Sequence, residues 1–285
     1  MPRNQKLLLS FALVFVGWGS VSFARETSVN FSITGEPFHL TTPSIKEIQT
    51  VPKRIAFVGN SYMYFNCGVD GFVRVFTKGK SLQTKLFAIS GAGLAEHPVE
   101  SYFLAGNKAK EKFDVILFQG PTRKPWEDGK SEKKTPRRSY AVALKNAVEV
   151  TKKSGATPAV VATWAPAKVQ IGSRGKRAAD LMNATVALAN ENQILAIPVG
   201  LAFEVVCSER SDILLNDAGD FRHPTTAGSF LFGAVIYASL FKEKPTAEGI
   251  EELTYGCGAQ LNPRVARYLE DVAWRVVTQF FSKGK

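Results

Sequence analysis

Five short runs of mostly apolar residues, Arg54–Val58, Leu86–Ile89, Val115–Phe118, Ala159–Ala162 and Ile194–Val199, recur along the chain with helix-like segments among them. Each run is too short for a stable helix and suits a strand buried on both faces. Helical spacing is read over Val69–Lys78, Pro98–Ala105, Tyr140–Lys153 and Arg177–Asn190, then over Thr225–Phe241 and Pro263–Phe281. Strand and helix alternating in this way predict a parallel sheet covered on both faces. The expected fold is therefore α/β, a three-layer α/β/α sandwich with a central, mostly parallel five-stranded sheet, flavodoxin-like in plan. Open sheets of this kind place their sites beyond the carboxyl ends of the strands. Ser61, Gly91, Gln119 and Trp164 all stand just past such an end.

The N-terminus has a different composition. Arg3 and Lys6 precede an apolar stretch from Leu7 to Val16, and Ser22-Phe23-Ala24 follows with small residues at its first and third positions. That order describes a secretory signal peptide over residues 1–24. The apolar stretch falls short of the roughly 20 residues that a permanent span needs. A secreted or periplasmic protein with no permanent membrane span is expected after cleavage. Residues 25–52 read as an N-terminal arm, with an edge strand at Val29–Ile33, and residues 53–285 as the main domain.

The 285-residue chain carries a formal charge of +11, and loss of Arg3 and Lys6 with the signal peptide leaves +9. Such a surplus favours anionic partners. Nucleic acid is not expected, because no aromatic-interleaved basic motif or helix-turn-helix pattern is present. The basic stretch Arg123–Arg138 reads as a solvated loop, or as a basic rim over a site. Cys67, Cys207 and Cys257 are the only cysteines, and Cys207–Cys257 is the expected pair, since Cys67 sits close behind Ser61. Three scattered histidines, His39, His97 and His223, form no metal-binding pattern, so neither a metal nor an organic cofactor is expected.

Chemistry concentrates in two motifs. Gly59-Asn60-Ser61 follows the first strand, and Asp220-Phe221-Arg222-His223-Pro224 precedes a long apolar helix. A serine hydroxyl is a poor nucleophile without an adjacent base. His223 would accept its proton, and Asp220 would hold the imidazole in the required tautomer. The Ser61 and Gly91 backbone N–H groups and the Gln119 amide would form an oxyanion hole. Asn60 and Trp164 are further candidates for substrate contact, Trp164 equally well as plain packing. Gly91-Ala92-Gly93 lacks the third glycine of a dinucleotide loop, with Glu96 in its place. His97 reads as a helix-start residue or a support for the site.

The order of these pieces resembles that of the SGNH (GDSL-type) hydrolase superfamily over about Lys53 to Phe241. Phe57-Val58-Gly59-Asn60-Ser61 is similar to its nucleophile block, Ile89-Ser90-Gly91 to its glycine block, and Asp220 to Pro224 with Ala227-Gly228 to its final block. Asn60 stands where Asp is commoner, and Gln119 where the superfamily name expects Asn. Gly91 to His97, Phe118-Gln119, Thr163-Trp164-Ala165 and Pro198-Val199-Gly200 resemble a bacterial branch that also carries Gln. The resemblance implies a serine esterase with Ser61 as nucleophile, His223 as base, Asp220 as its orienter, and Gly91 and Gln119 as oxyanion donors. The implied substrate is an acyl ester, acetyl foremost, on a carbohydrate or cell-wall polymer. An O-acyltransferase using the same triad, or a catalytically silent glycan-binding module, are the alternatives.

Overall fold

The computed structural model describes residues 32–33, 36–37, 40–77, 80–104, 111–122, 139–167, 171–247 and 260–282. The expected signal peptide, the basic stretch 123–138 and Cys257 lie outside these residues. Two short strands, β1 (Ser32–Ile33) and β2 (Glu36–Pro37), pair antiparallel ahead of the main body. From the arm, residues 40–44 run along the outside of a later helix. Thr41 and Ser44 donate backbone N–H bonds to Asn183 and Asn190, each at 2.7 Å.

The central sheet contains β3 (Arg54–Gly59), β4 (Gln83–Ala88), β5 (Val115–Gln119), β6 (Thr157–Val161) and β7 (Leu195–Ile197). Their order is β4-β3-β5-β6-β7 and every pairing is parallel. Counted within this sheet the order is 2-1-3-4-5, the flavodoxin-like arrangement, whose switch point lies between β3 and β5. The inner strand β5 and the edge strand β7, covered by helices, are buried at every position, which explains why they read as unbroken apolar runs. β4 alternates exposed and half-buried residues at its start, as an edge strand does. Its first three residues, Gln83-Thr84-Lys85, are polar, so the apolar run marks only its second half.

The helices are α1 (Ser61–Tyr64), α2 (Val69–Phe76), α3 (Val99–Phe103), α4 (Tyr140–Lys153), α5 (Ile171–Asn192), α6 (Val199–Glu209), α7 (Thr226–Phe241) and α8 (Pro263–Ser282). α7 packs against both α2 and α8 on one face of the sheet, while α4 packs against α3 and α5 on the other. All of α7 from Ala227 to Phe241 is buried, so it is apolar all round and lies inside its layer. α8 is the amphipathic cover, burying Leu269, Val272, Val276 and Phe280. Among the described residues no helix is long and apolar enough to cross a membrane.

Two expectations need correction. The last strand ends at Ile197, and α6 begins at Val199 after Pro198. This helix was hidden because its buried sequence is rich in Val and Phe, which carry no helical polar face. The cysteine pairing also differs: Cys67 is disulfide-bonded and Cys207 is not part of a disulfide. Cys207 sits on α6, half-buried against the core, whereas Cys67 lies exposed in a surface turn.

Candidate active site

β3 delivers Gly59 to the sheet edge, and the chain turns at once into α1. Asn60 caps that turn, its Oδ1 accepting the Tyr62 N–H at 3.1 Å. The same Oδ1 accepts from Gln119 Nε2 at 2.9 Å, and the Asn60 N–H returns a bond to Gln119 Oε1 at 3.0 Å. Asn60 Nδ2 donates to the Ala92 carbonyl at 2.9 Å. One carboxamide thus ties the Ser61 turn to the loop after β4 and to the end of β5. Its polar atoms bond within the protein, and Asn60 also lines the cavity beside this turn. Gly59 has no room for a side chain: a Cβ would lie 2.6 Å from Gln119 Oε1.

Ser61 is the first residue of α1, with its hydroxyl 2.7 Å from His223 Nε2. The other ring nitrogen, Nδ1, pairs with Asp220 Oδ2. Asp220 Oδ1 accepts the N–H groups of Arg222 at 2.8 Å and His223 at 3.0 Å. Partial burial works to raise the Asp220 pKa, but the His223 ring and the two amides outweigh it and hold the carboxyl at about 2. Phe221, between them, takes a left-handed φ of 61°. That turn lets a single carboxylate collect two successive amides and the ring.

Several elements hold this loop. Trp164 Nε1 donates to the Arg222 carbonyl at 2.9 Å, and Asn216 Nδ2 donates to the same oxygen at 3.2 Å. Trp164 is 0% exposed and stacks between Tyr62 and Phe203, with centroids 4.7 and 4.2 Å away. It is therefore packing: it has no surface to offer a substrate, and it orients the loop that carries His223.

The Ser61 N–H makes no hydrogen bond among the described residues, nor does the Gly91 N–H. Gly91 has φ +68° with open space where a Cβ would stand, so backbone conformation, not crowding, requires glycine there. One Gln119 amide hydrogen is engaged by Asn60, which leaves the second over. A cavity of about 420 Å³ opens beside these groups. Its lining includes Gly91, Gly93, His97, Gln119, Thr122 and Tyr140, but neither Ser61 nor His223.

No protein-family model matches this chain, and neither does any curated protein. Solved structures do match. One, named as an SGNH hydrolase, from Slackia heliotrinireducens, is 23% identical with a TM-score of 0.47, covering 65% of this chain and 97% of that one. A DUF4886 family protein from Bacteroides uniformis has a TM-score of 0.53 at 15% identity, over 79% of this chain and 94% of that one. A protein named as a GDSL-like lipase, from Parabacteroides merdae, has a TM-score of 0.51 at 14% identity, over 71% and 100%. The chain has the SGNH-hydrolase fold.

Within this SGNH-hydrolase fold, Ser61, His223 and Asp220 stand in one hydrogen-bonded series, and Gln119 stands beside Asn60. Sequence reading missed the segment just behind Ser61. Phe65 lies flat against the His223 ring, with centroids 4.0 Å apart. Asn66, in a left-handed conformation, donates from Nδ2 to the Pro224 carbonyl at 2.9 Å and to Ser229 Oγ at 2.8 Å. The one available signal was Asn66-Cys67-Gly68, a turn-prone run interrupting an apolar one.

Proposed function

We propose that this protein is an exported serine esterase that cleaves acyl esters, acetyl foremost, on a carbohydrate or cell-wall polymer through an acyl-serine intermediate. The observation that carries this reading is His223, whose two ring nitrogens face Ser61 Oγ and Asp220 Oδ2 at once. Ser61 Oγ attacks the ester carbonyl carbon as its proton passes to His223 Nε2. Asp220, ionised well below neutral pH, stabilises the imidazolium that forms. Negative charge on the carbonyl oxygen would be met by the Ser61 and Gly91 N–H groups and the spare Gln119 amide hydrogen, each worth roughly 3 kcal/mol in such a role. Collapse expels the alcohol, which takes the proton back from His223. Water then repeats the sequence on the acyl-serine and releases the acid.

Export is proposed from the signal-peptide pattern at residues 1–24. The disulfide at Cys67 supports it, since such bonds persist in oxidising compartments. Labelling with a fluorophosphonate and mapping the modified peptide by mass spectrometry tests the assignment. Modification at Ser61, absent in His223→Ala, is the expected result. Labelling of another serine, or of none, overturns it.

A further inference from the structure

The segment that follows α1 reaches the proposed base at two points. Phe65 covers one face of the His223 ring, with centroids 4.0 Å apart and planes within 8°. The next residue, Asn66, donates from Nδ2 to the Pro224 carbonyl at 2.9 Å and to Ser229 Oγ at 2.8 Å. One contact sets the ring, and the other sets the backbone just beyond it. The opposite end of the loop is held separately: Trp164 and Asn216 donate to the Arg222 carbonyl at 2.9 and 3.2 Å.

The turn behind both contacts is not one that a chain adopts readily. Asn66, Cys67 and Gly68 follow one another with φ of 54°, 65° and 95°. Asparagine and glycine enter the left-handed region at modest cost, whereas cysteine does not. Such residues in succession persist only where the surroundings impose them. Asn66 is fixed by its bonds to Pro224 and Ser229. Cys67 is exposed, not packed into the core, and at that point its disulfide supplies a covalent tether.

We infer that Cys67 is a positioning residue for the proposed reaction: its disulfide pins the 66–68 turn, which through Phe65 and Asn66 keeps the His223 imidazole on Ser61. The inference rests on the esterase reading. Cutting the bond removes the tether but leaves the Trp164 and Asn216 anchors, so the His223 loop slackens without coming apart. The loss falls on kcat, because proton transfer needs the ring aligned with Ser61 Oγ in the transition state. KM changes little, since ester held before the proton moves does not depend on that alignment.

Tris(2-carboxyethyl)phosphine cleaves a disulfide to two thiols, taking the oxygen of one water as it becomes the phosphine oxide. In the folded protein it should lower kcat on p-nitrophenyl acetate about tenfold, with KM changed by less than about twofold and the far-UV circular dichroism unaltered. Removing the phosphine and adding oxidised glutathione, which leaves as two reduced molecules, should restore the rate. Cys67→Ser should match the reduced wild type and ignore the phosphine. Cys207 lies outside the disulfide, so Cys257→Ser should behave as Cys67→Ser does. Combined with Phe65→Ala, the loss should fall well short of multiplying, since both changes act on one contact. Should the variants be insoluble, the reduced wild type decides alone. An unchanged kcat after verified reduction, with only the melting temperature lowered, makes the disulfide a brace of the fold and overturns the inference. Loss of the far-UV signal on reduction overturns it as well. No turnover of p-nitrophenyl acetate by the oxidised wild type removes the esterase reading and this inference together.

Discussion

Phe65 covers one face of the His223 imidazole, its ring plane within 8° of the histidine's and its centroid 4.0 Å away. The contact limits the ring to one orientation while His223 reaches Ser61 at 2.7 Å. It also places an aromatic face against the cation that the proposed reaction would form, where such contacts contribute about 0.5–2 kcal/mol. Phe65→Ala should lower kcat roughly tenfold to a hundredfold with a smaller change in KM. Phe65→Tyr should recover most of the loss. Steady-state kinetics on p-nitrophenyl acetate provide the check, and a fall confined to KM would contradict this positioning role.

Asp220 accepts three hydrogen bonds, and its carboxyl is held at about 2. A depressed carboxyl stabilises the fold above its unfolded pKa, and that contribution is lost as pH falls through about 2. Any acidic limb of the rate profile above pH 4 must therefore come from another group. Asp220→Asn keeps the shape but removes the charge and should cost several orders of magnitude in kcat. A pH–rate profile of the wild type alongside kcat of the variant tests both statements.

The Asn60–Gln119 pair should be intolerant of small changes. In Asn60→Asp the donor to the Ala92 carbonyl at 2.9 Å becomes an acceptor facing an acceptor. Gln119→Asn draws the amide back by one methylene and leaves the Asn60 N–H without its partner. Each should reduce stability by about 1–3 kcal/mol, the usual cost of an unsatisfied buried group. Both should also lower kcat, because the turn they hold carries Ser61. Urea denaturation with parallel kinetics would detect both effects.

Glu270, on α8, is buried and accepts the Ala247 N–H at 2.7 Å. Burial raises its pKa, opposed by that bond and by Lys244 and Arg267. A carboxyl raised in the folded state stabilises the protein below its unfolded pKa, and that contribution disappears as pH rises through the folded value. Glu270→Gln retains an acceptor and removes the titration. The variant should melt above the wild type at pH 8, with the gap closing by pH 4. Thermal melts across that range are the measurement.

The strand pattern was legible because burial on both faces imposes unbroken apolar runs, as in Val115–Phe118 and Arg54–Val58. Edge strand β4 was only half visible, since Gln83 to Lys85 meet solvent and are free to be polar. α6 left no readable period because α5, α7 and α8 surround it. Among the candidate residues, Ser61, Gly91 and Gln119 stood out by residue type and by position after strands, and Asp220 and His223 by their spacing before a long apolar helix. The support given by Phe65, Asn66 and Trp164 did not, because aromatic residues look alike whether they line a pocket or fill a core.

Taken alone, the amino-acid order determined most of the strands and helices, though not α6 or the first half of β4, and which polar residues stand at strand ends, because local periodicity and turn chemistry act over a few residues. Tertiary structure decided the rest. It set a hydrogen bond across 162 positions between Ser61 and His223, left Cys207 outside the disulfide, and buried His97. Those outcomes depend on how distant surfaces meet, and packing between layers leaves no periodic trace in the chain.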